Sequence, residues 1–397
     1  MKKQKILICD DNAKNATRWA DSLSDLAEVK EVATVESAKK DRLKAIVAAL
    51  RKRQTDVRKG GDYTTDCEID GYDVLIVDYD LIEIDAVERV TGEQLAGLVR
   101  LFSTCGYIVV LNQRPELDFD LTMRVDFDAR ADLNVPLEHI FVPALWAGKW
   151  DRDTLRPWHW PYLLAASKRQ KARERELKKN MDKKIFEFLS FPTEVVSRLP
   201  RAATEHLSLK GKSAQITFRE FVRSGSLGID PKDRDGILKN EEISIRLAAA
   251  RVARWLEYSL LTPQDVLIDV PHLIRQMPFL LKGDIKSLDS WNDTVNLDAV
   301  AGIATTSVAK HKFKKANWLS RPAYWWATLQ NDKTLVQKRR EFDLGSLPDF
   351  VFREDTSDFG NRSDSDEFVA EMTSAFDRRY ISKLPKTKYG PMVRLAM

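Results

Sequence analysis

Short apolar runs that end in a polar side chain constrain the fold of the first 150 residues more than any other feature of this chain. Three of them have the composition of strands buried on both faces of a parallel sheet: residues 6–9 (ILIC), 73–77 (DVLIV) and 107–111 (YIVVL). Asp10, Asp78 and Asn112 follow these runs directly. Because the carboxyl ends of parallel strands meet at one edge of a sheet, we expect these three side chains at the same edge.

Helix-favouring stretches separate the apolar runs, which predicts alternating strands and helices. The helices are expected after a cap at Asp11 or Asn12, over 36–54, and over 91–102 with Thr91 as the cap. Two further strands are expected at 29–35 and 140–145. The pattern predicts an α/β fold, a doubly wound (flavodoxin-like) parallel sheet of five strands, followed by a mostly helical C-terminal domain.

Length and pattern together predict three parts along the chain of 397 residues. Residues 1–150 form the α/β domain, and residues 151–184 form a Trp-rich junction with a charged helical connector. Residues 185–397 form a mostly α-helical output or interaction domain. The 43% hydrophobic and 31% charged residues fit globular domains with true cores.

Composition also bounds the compartment and the class of partner. The three cysteines, Cys9, Cys67 and Cys105, form no CxxC pair and predict reduced thiols in a cytoplasmic protein. The apolar run at the start ends at Asp10, which is typical of a strand and not of a signal peptide. No apolar run approaches the roughly 18 residues of a membrane helix. A net charge of +4 is no nucleic-acid signature by itself, so nucleic acid is only a weakly supported partner.

The strand-end carboxylates point to chemistry with a hard cation. Asp10 and Asp11 follow the run at 6–9, and Asp78 and Asp80 follow the run at 73–77. Carboxylates that converge at one edge repel one another unless a cation neutralises them, and Mg²⁺ prefers oxygen ligands. A remaining carboxylate could act as a nucleophile toward an activated phosphoryl donor. Helix capping is the alternative explanation for Asp10 and Asp11.

Residues 3–150 resemble a divergent response-regulator receiver domain. The resemblance rests on the acidic pair after the first strand, the single Asp after the third and a small polar residue after the fourth. It implies that Asp10 and Asp11 hold Mg²⁺ and that Asp78 is the phosphoacceptor. It also implies that the backbone carbonyl of Asp80 is a further metal ligand.

Two positions depart from the receiver pattern. Asn112 stands where the family has a Thr or Ser whose hydroxyl follows the phosphoryl group. Val142 precedes Pro143, where the family has a Lys, and Lys149 is the nearest candidate substitute. The loss of that Lys removes a cation that would pair with the phosphoryl oxygens. Metal binding is therefore better supported than phosphorylation.

These patterns predict a signal-transduction protein of the two-component type, in which the receiver-like domain controls the helical domain. The partner would be a histidine kinase, and a homodimer is one of the expected assemblies. The alternative is an effector or regulatory subunit of a bacterial host-defence (antiviral, anti-phage) system. In it the receiver would be a phosphorylation-independent interaction module that binds another subunit of the defence complex. A nuclease activity belongs to this second hypothesis, but no catalytic set can be assigned beyond residue 185, so enzyme activity stays undecided.

Weaker motifs beyond residue 150 favour structural roles. The charged run 167–184 is typical of a solvated helix or connector. The stretch 231–242 partly matches a calcium loop, but Pro231 holds the first ligand position, which favours an acidic turn. His272 is interpreted as a turn histidine. The aromatic cluster 318–326 beside several lysines could stack bases, but a core element is favoured.

Overall fold

The structure is a computed structural model that describes residues 3–24, 29–36, 39–81, 90–112, 131–136, 160–200, 203–204, 207, 216–224, 231–295, 302–343, 345, 347–354, 358–368 and 378–383. The chain forms two compact units. Unit 1 comprises Met1–Asp151, Trp158–Asp182 and Thr217–Val252. Unit 2 comprises Arg152–Pro157, Lys183–Ile216 and Ala253–Met397. Among the described residues, no helix has both the length and the apolar composition needed to cross a bilayer.

The strands, numbered along the described chain, are β1 (Gln4–Cys9), β2 (Val29–Val35), β3 (Val74–Asp78), β4 (Tyr107–Asn112), β5 (Leu133–Pro136), β6 (Leu267–Asp269), β7 (Ala323–Trp325), β8 (Phe350–Arg353), β9 (Asp358–Asn361), β10 (Ser365–Phe368) and β11 (Arg379–Ser382). The α-helices are α1 (Ala13–Ser24), α2 (Lys40–Arg58), α3 (Gly92–Phe102), α4 (Trp160–Leu177), α5 (Ile185–Phe188), α6 (Thr193–Val196), α7 (Phe218–Ser224), α8 (Pro231–Lys239), α9 (Glu241–Trp255), α10 (Val270–Gln276), α11 (Leu288–Asn292), α12 (Thr305–Val308), α13 (Trp326–Gln330) and α14 (Lys333–Glu341).

The core of unit 1 is a parallel sheet, so the predicted α/β fold of this region is confirmed. β1 pairs in parallel with β2 and β3, and β3 pairs in parallel with β4. The short strand β5 lies next to β4, which gives the order β2-β1-β3-β4-β5. All five residues of β3 are buried, as expected for a strand covered on both faces. The strand predicted at 140–145 lies outside the described residues.

The helices between these strands follow the sequence pattern. α2 buries the apolar face that its sequence predicts, Leu43, Ile46, Val47 and Leu50. α3 begins with a capping box in which Thr91 and Gln94 exchange side-chain and backbone hydrogen bonds. Asn12 is the residue at the start of α1 whose side chain accepts hydrogen bonds, from the backbone of Lys14 and Asn15.

Unit 1 also contains helices from well beyond residue 150. α4 lies against the sheet: Ser167 Oγ donates to the carbonyl of Asp73 at 2.9 Å, and Lys171 pairs with the Asp73 carboxylate. Ser167 and Gln170 are buried, so the expectation of a solvated connector is wrong for this side of the helix. The predicted limits at 150 and 185 therefore differ from those of the compact unit.

α8 packs on α2 through an aspartate and a glycine. Asp233 is buried and accepts hydrogen bonds from Gln54 Nε2, at 2.7 Å, and from the guanidinium of Arg58. Gly236 lies so close to the carbonyl of Val57 that a Cβ would be 2.1 Å from the oxygen. Residues 231–239 are thus a helix, so neither a calcium loop nor an acidic turn is present there.

Unit 2 is mostly helical, as predicted, and its core is rich in aromatic residues. Trp318, Tyr324, Trp325 and Trp326 are buried, which confirms the core interpretation of the aromatic cluster 318–326. β6 and β7 form an antiparallel pair beside this core. The core also contains the buried rings of aromatic residues from α11, β8 and β9: Trp291, Phe352 and Phe359.

The C-terminal part of unit 2 departs from the sequence prediction. From its polar composition alone, the segment 354–366 (EDTSDFGNRSDSD) would be expected to form a loop, and a helix would be expected over about 366–380. The structure instead has strands at both places, in a four-stranded sheet of order β10-β11-β8-β9. Each of these strands has only four residues and is stabilised by its neighbours in the sheet. Such short strands have no clear alternation of apolar and polar residues by which the sequence would predict them.

Candidate metal centre

The register of the parallel sheet brings two aspartates to the same height. Cys9 of β1 pairs with Val77 of β3. The next residue on each strand is an aspartate, Asp10 on one and Asp78 on the other. Both side chains are therefore at the carboxyl edge of the sheet, where ligands bind in open parallel sheets.

Three carboxylates meet at this edge. Asp10, Asp11 and Asp78 each offer an oxygen, and these oxygens lie within 4.8 Å of one another. Asp10 is 0% exposed and Asp78 is 1% exposed, whereas Asp11 is half-buried. Three negative groups this close, two of them out of water, repel strongly unless a proton or a cation neutralises them.

Asp10 shows the cost of this arrangement most directly. Its Oδ1 accepts a hydrogen bond from the backbone N–H of Asn12 at 2.9 Å. Its buried Oδ2 has no partner with hydrogen-bond geometry. Burial raises the pKa of Asp10 to about 6 and the Asp11 charge adds to the rise, whereas the Asn12 amide and the Trp19 indole oppose it. A buried carboxylate oxygen without a well-aligned donor is one that a cation would satisfy.

The side chain of Asn12 caps α1. It accepts the hydrogen bonds from the first backbone N–H groups of the helix. The Asp10 carboxylate instead accepts from the residue that precedes the helix. With this hydrogen bond, Asp10 therefore does not cap the first turn of α1.

The start of α3 closes over the end of β3. The N–H of Gly92 donates to the carbonyl of Tyr79 at 2.8 Å. A Cβ at position 92 would lie 2.1 Å from the carbonyl oxygen of Asp78, so only glycine allows this approach. The positive end of the α3 dipole is thereby held beside Asp78, where it favours negative charge.

The donor set fits a small, hard divalent cation. All three groups are carboxylates, and among the described residues no thiol or imidazole joins them. Mg²⁺ and Mn²⁺ favour such oxygen ligands and keep several of their waters. Asp10, Asp11 and Asp78 are therefore the residues that would hold the ion.

The other predicted site residues do not belong to the cluster of three carboxylates. Asp80 is half-buried and its carboxylate is not one of the three in the cluster. Asn112 ends β4, directly after Leu111, the partner of Asp78 in the register. Val142, Pro143 and Lys149 lie outside the described residues.

A second polar cluster, which the sequence patterns do not predict, lies in the interior of unit 2. His272 Nδ1 is 2.6 Å from Asp269 Oδ1, and its Nε2 is 3.1 Å from Glu354 Oε1. Arg321 pairs with Asp269 at 3.0 Å, and Arg379 pairs with Glu354 at 3.0 Å. All five residues are less than a tenth exposed.

Charge balance gives this buried network a structural role. Its two carboxylates face two guanidiniums, so these four charges balance one another within the cluster. Its members come from β6, α10, β11 and the segments next to β7 and β8, which it ties together. His272 is thus a buried helix residue, and its interpretation as a turn histidine is wrong.

Comparison with models of protein families, with curated proteins and with solved structures found no match to this chain.

Proposed function

We propose that unit 1 is a receiver-like signalling module that holds Mg²⁺ on Asp10, Asp11 and Asp78 and accepts a phosphoryl group on Asp78. The occupied site would control the mostly helical remainder of the chain. The observation that carries the proposal is the convergence of the three carboxylates at the carboxyl edge of the sheet. The buried Oδ2 of Asp10, which meets no donor with hydrogen-bond geometry, favours a bound cation over hydrogen bonds between protonated carboxyl groups.

The finer architecture belongs to the same proposal. We infer a five-stranded, doubly wound sheet of the flavodoxin type, and the strand order β2-β1-β3-β4-β5 supports it. In such folds the ligand binds at the switch point of the strand order, between the strands that correspond to β1 and β3. Asp10 and Asp78 stand at the ends of those two strands.

The chemistry at Asp78 would be a direct phosphoryl transfer. A bound Mg²⁺ would supply positive charge that screens the carboxylates from the phosphoryl oxygens. A carboxylate oxygen of Asp78 attacks the phosphorus of an activated donor and forms an acyl phosphate. The bond from phosphorus to the donor's oxygen or nitrogen breaks, and its electron pair leaves with the donor. The N-terminus of α3 stabilises the charge that arrives.

A second candidate function follows from two residues. Asn112 replaces the hydroxyl that follows the phosphoryl group in receivers, and Val142 stands in the position of the Lys. Both changes favour a module that signals by binding a protein partner without phosphorylation, for instance within a host-defence complex. In this version the cation stabilises the fold of the site, and Asp78 is only a metal ligand.

Labelling with a small phosphodonor separates the two candidates. The full chain is incubated with acetyl phosphate, with and without Mg²⁺, and its intact mass is measured. The proposal predicts a Mg²⁺-dependent gain of one phosphoryl group in the wild type and in Asp21→Asn, an exposed control in α1. Asp78→Asn should gain none. An unlabelled wild type, or equal labelling of Asp78→Asn, contradicts the acceptor role of Asp78.

A further inference from the structure

Positive charge is concentrated in one segment of unit 2. Residues 310–343 contain nine Lys and Arg residues but only three Asp and Glu residues, although the whole chain has a net charge of only +4. Two of these nine cations form ion pairs with aspartates of unit 2. Arg321 is buried against Asp269, and Lys310 Nζ is 2.7 Å from Asp332 Oδ2.

An extended stretch before β7 displays two of them on one side. Buried and exposed side chains alternate here: His311 and Phe313 are buried, whereas Lys312 and Lys314 are exposed. The Phe313 N–H donates to the carbonyl of Ala323 at 2.9 Å, which fixes the stretch against β7. Alternation along extended backbone places the two lysines on the same side, roughly 6–7 Å apart.

Helix α14 displays three more. Leu335 is buried and faces the core, while Lys333, Lys338 and Arg340 are exposed. Lys333 and Arg340 are seven residues apart, which is two turns or about 10 Å along one side of the helix. The packing of Leu335 against the core fixes the side of the helix on which each of these three cations stands.

Asp332 joins the two parts into one surface. Its Oδ1 accepts from the backbone N–H groups of Thr334 and Leu335 and so caps α14. Its Oδ2 contacts Lys310 and lies 3.1 Å from His311 Nε2. The stretch 310–314 and the start of α14 are therefore neighbours.

We name the basic surface by its five exposed cations: Lys312, Lys314, Lys333, Lys338 and Arg340. Within the part of the chain that the structure describes, none of the five takes part in an ion pair. The exposed acids nearest in sequence accept local hydrogen bonds, Glu341 from Gln337 and Asp343 from Gly345. The basic surface thus presents five exposed cations, none of which has a carboxylate partner at ion-pair distance among the described residues.

We propose that the basic surface binds the sugar–phosphate backbone of a nucleic-acid duplex. Lysines and arginines on a rigid support contact phosphates without reading sequence. The neighbouring aromatic rings Trp318, Tyr324, Trp325 and Trp326 are buried, so base stacking on a single strand is not available to them. The binding is therefore electrostatic and sequence-independent. This inference does not depend on the metal centre, because none of its residues lies in unit 1.

Fluorescence anisotropy with the full chain and a labelled DNA duplex tests the proposal. Between about 50 and 200 mM salt, five phosphate contacts predict a slope of about −4.5 for log K against log salt. Lys312→Glu/Lys314→Glu should weaken binding at least ~10-fold and flatten the slope by about 2, since two contacts are lost. Lys333→Glu/Arg340→Glu should act in the same way.

A charge-matched control separates a local site from general attraction. Lys282→Glu/Lys286→Glu makes the same change in net charge at exposed positions of unit 2 outside the basic surface. It should leave the slope unchanged. The proposal is overturned by absence of duplex binding at low salt, or by equal weakening in the control. It is also overturned if a short polyglutamate peptide binds the basic surface and the duplex does not, which would identify an acidic protein as the partner.

Discussion

Asp10 holds its carboxyl group in surroundings that disfavour its charge, and this single residue makes a pH prediction possible. Its pKa in the folded chain is about 6, above the ordinary value of 3.8, chiefly because it is buried. A raised pKa means that the folded state binds the proton more tightly than the unfolded state. Stability from this residue is therefore full below about pH 4 and is lost as the pH rises through 6.

Asp10→Asn should consequently stabilise the protein in the absence of divalent cations. At pH 7.5 or so we expect a gain of up to about 3 kcal/mol in the free energy of unfolding, which the shift of roughly two pKa units implies. The gain should vanish near pH 4. Urea unfolding in chelator at both pH values measures it, with Asp21→Asn as the control. A variant that is less stable than the wild type at pH 7.5 would contradict this account of Asp10.

At the scale of secondary-structure elements, α3 begins with a capping box at Thr91, and its first residue, Gly92, packs on the backbone of Asp78. Gln94 N–H donates to Thr91 Oγ1 at 3.2 Å, and the Gln94 side chain accepts from the Thr91 N–H at 3.3 Å. Thr91→Ala removes one acceptor and should cost about 1 kcal/mol in the free energy of unfolding. Thr91→Ser keeps the acceptor and should cost much less. Equal losses for the two variants, measured by urea unfolding, would show that the cap is not what stabilises α3.

Elements with local signals were predictable from the sequence, and elements with distant partners were not. β1, β3 and α3 have apolar runs or a cap within a few residues, and the strand ends located Asp10, Asp11 and Asp78. Helix α8 contains Gly236, a poor helix former, which is tolerated there because it packs on the carbonyl of Val57.

The same limit applies to the polar cluster of unit 2. Asp269, Arg321 and Arg379 are separated by 50 or more residues along the chain. Only tertiary packing brings them to His272 and Glu354, so spacing in the sequence shows no pattern. The sequence thus predicted the convergence of the three carboxylates at strand ends and missed the polar cluster that long-range contacts assemble.

At the scale of the whole molecule, unit 1 is built from three separate stretches of the chain. Arg246 of α9 donates to the carbonyls of Leu101 and Ser103 at the end of α3. Asp233 of α8 pairs with Arg58 of α2. Residues 1–150 therefore leave several buried contacts unfilled when they are expressed alone.

A fragment of residues 1–150 should unfold at lower denaturant concentration than unit 1 does in the full chain. Its loss of α4, α8 and α9 uncovers Ser103 and the apolar residues beneath these helices, so dye binding to exposed apolar surface should increase. Circular dichroism and dye fluorescence measure the two effects. A fragment that unfolds cooperatively at the same midpoint as the full chain would show that these helices are not part of the folded unit.

The central claim is that Asp10, Asp11 and Asp78 hold a divalent cation. Crystals of the full chain soaked in Mn²⁺, which takes oxygen ligands as Mg²⁺ does, test it most directly through anomalous scattering. We predict one peak at this edge of the sheet, with the carboxylate oxygens of Asp10 and Asp78 at about 2.1 Å, and no peak there in Asp78→Asn. The absence of a peak in the wild type at saturating Mn²⁺, with Asp10, Asp11 and Asp78 ordered, would contradict the account.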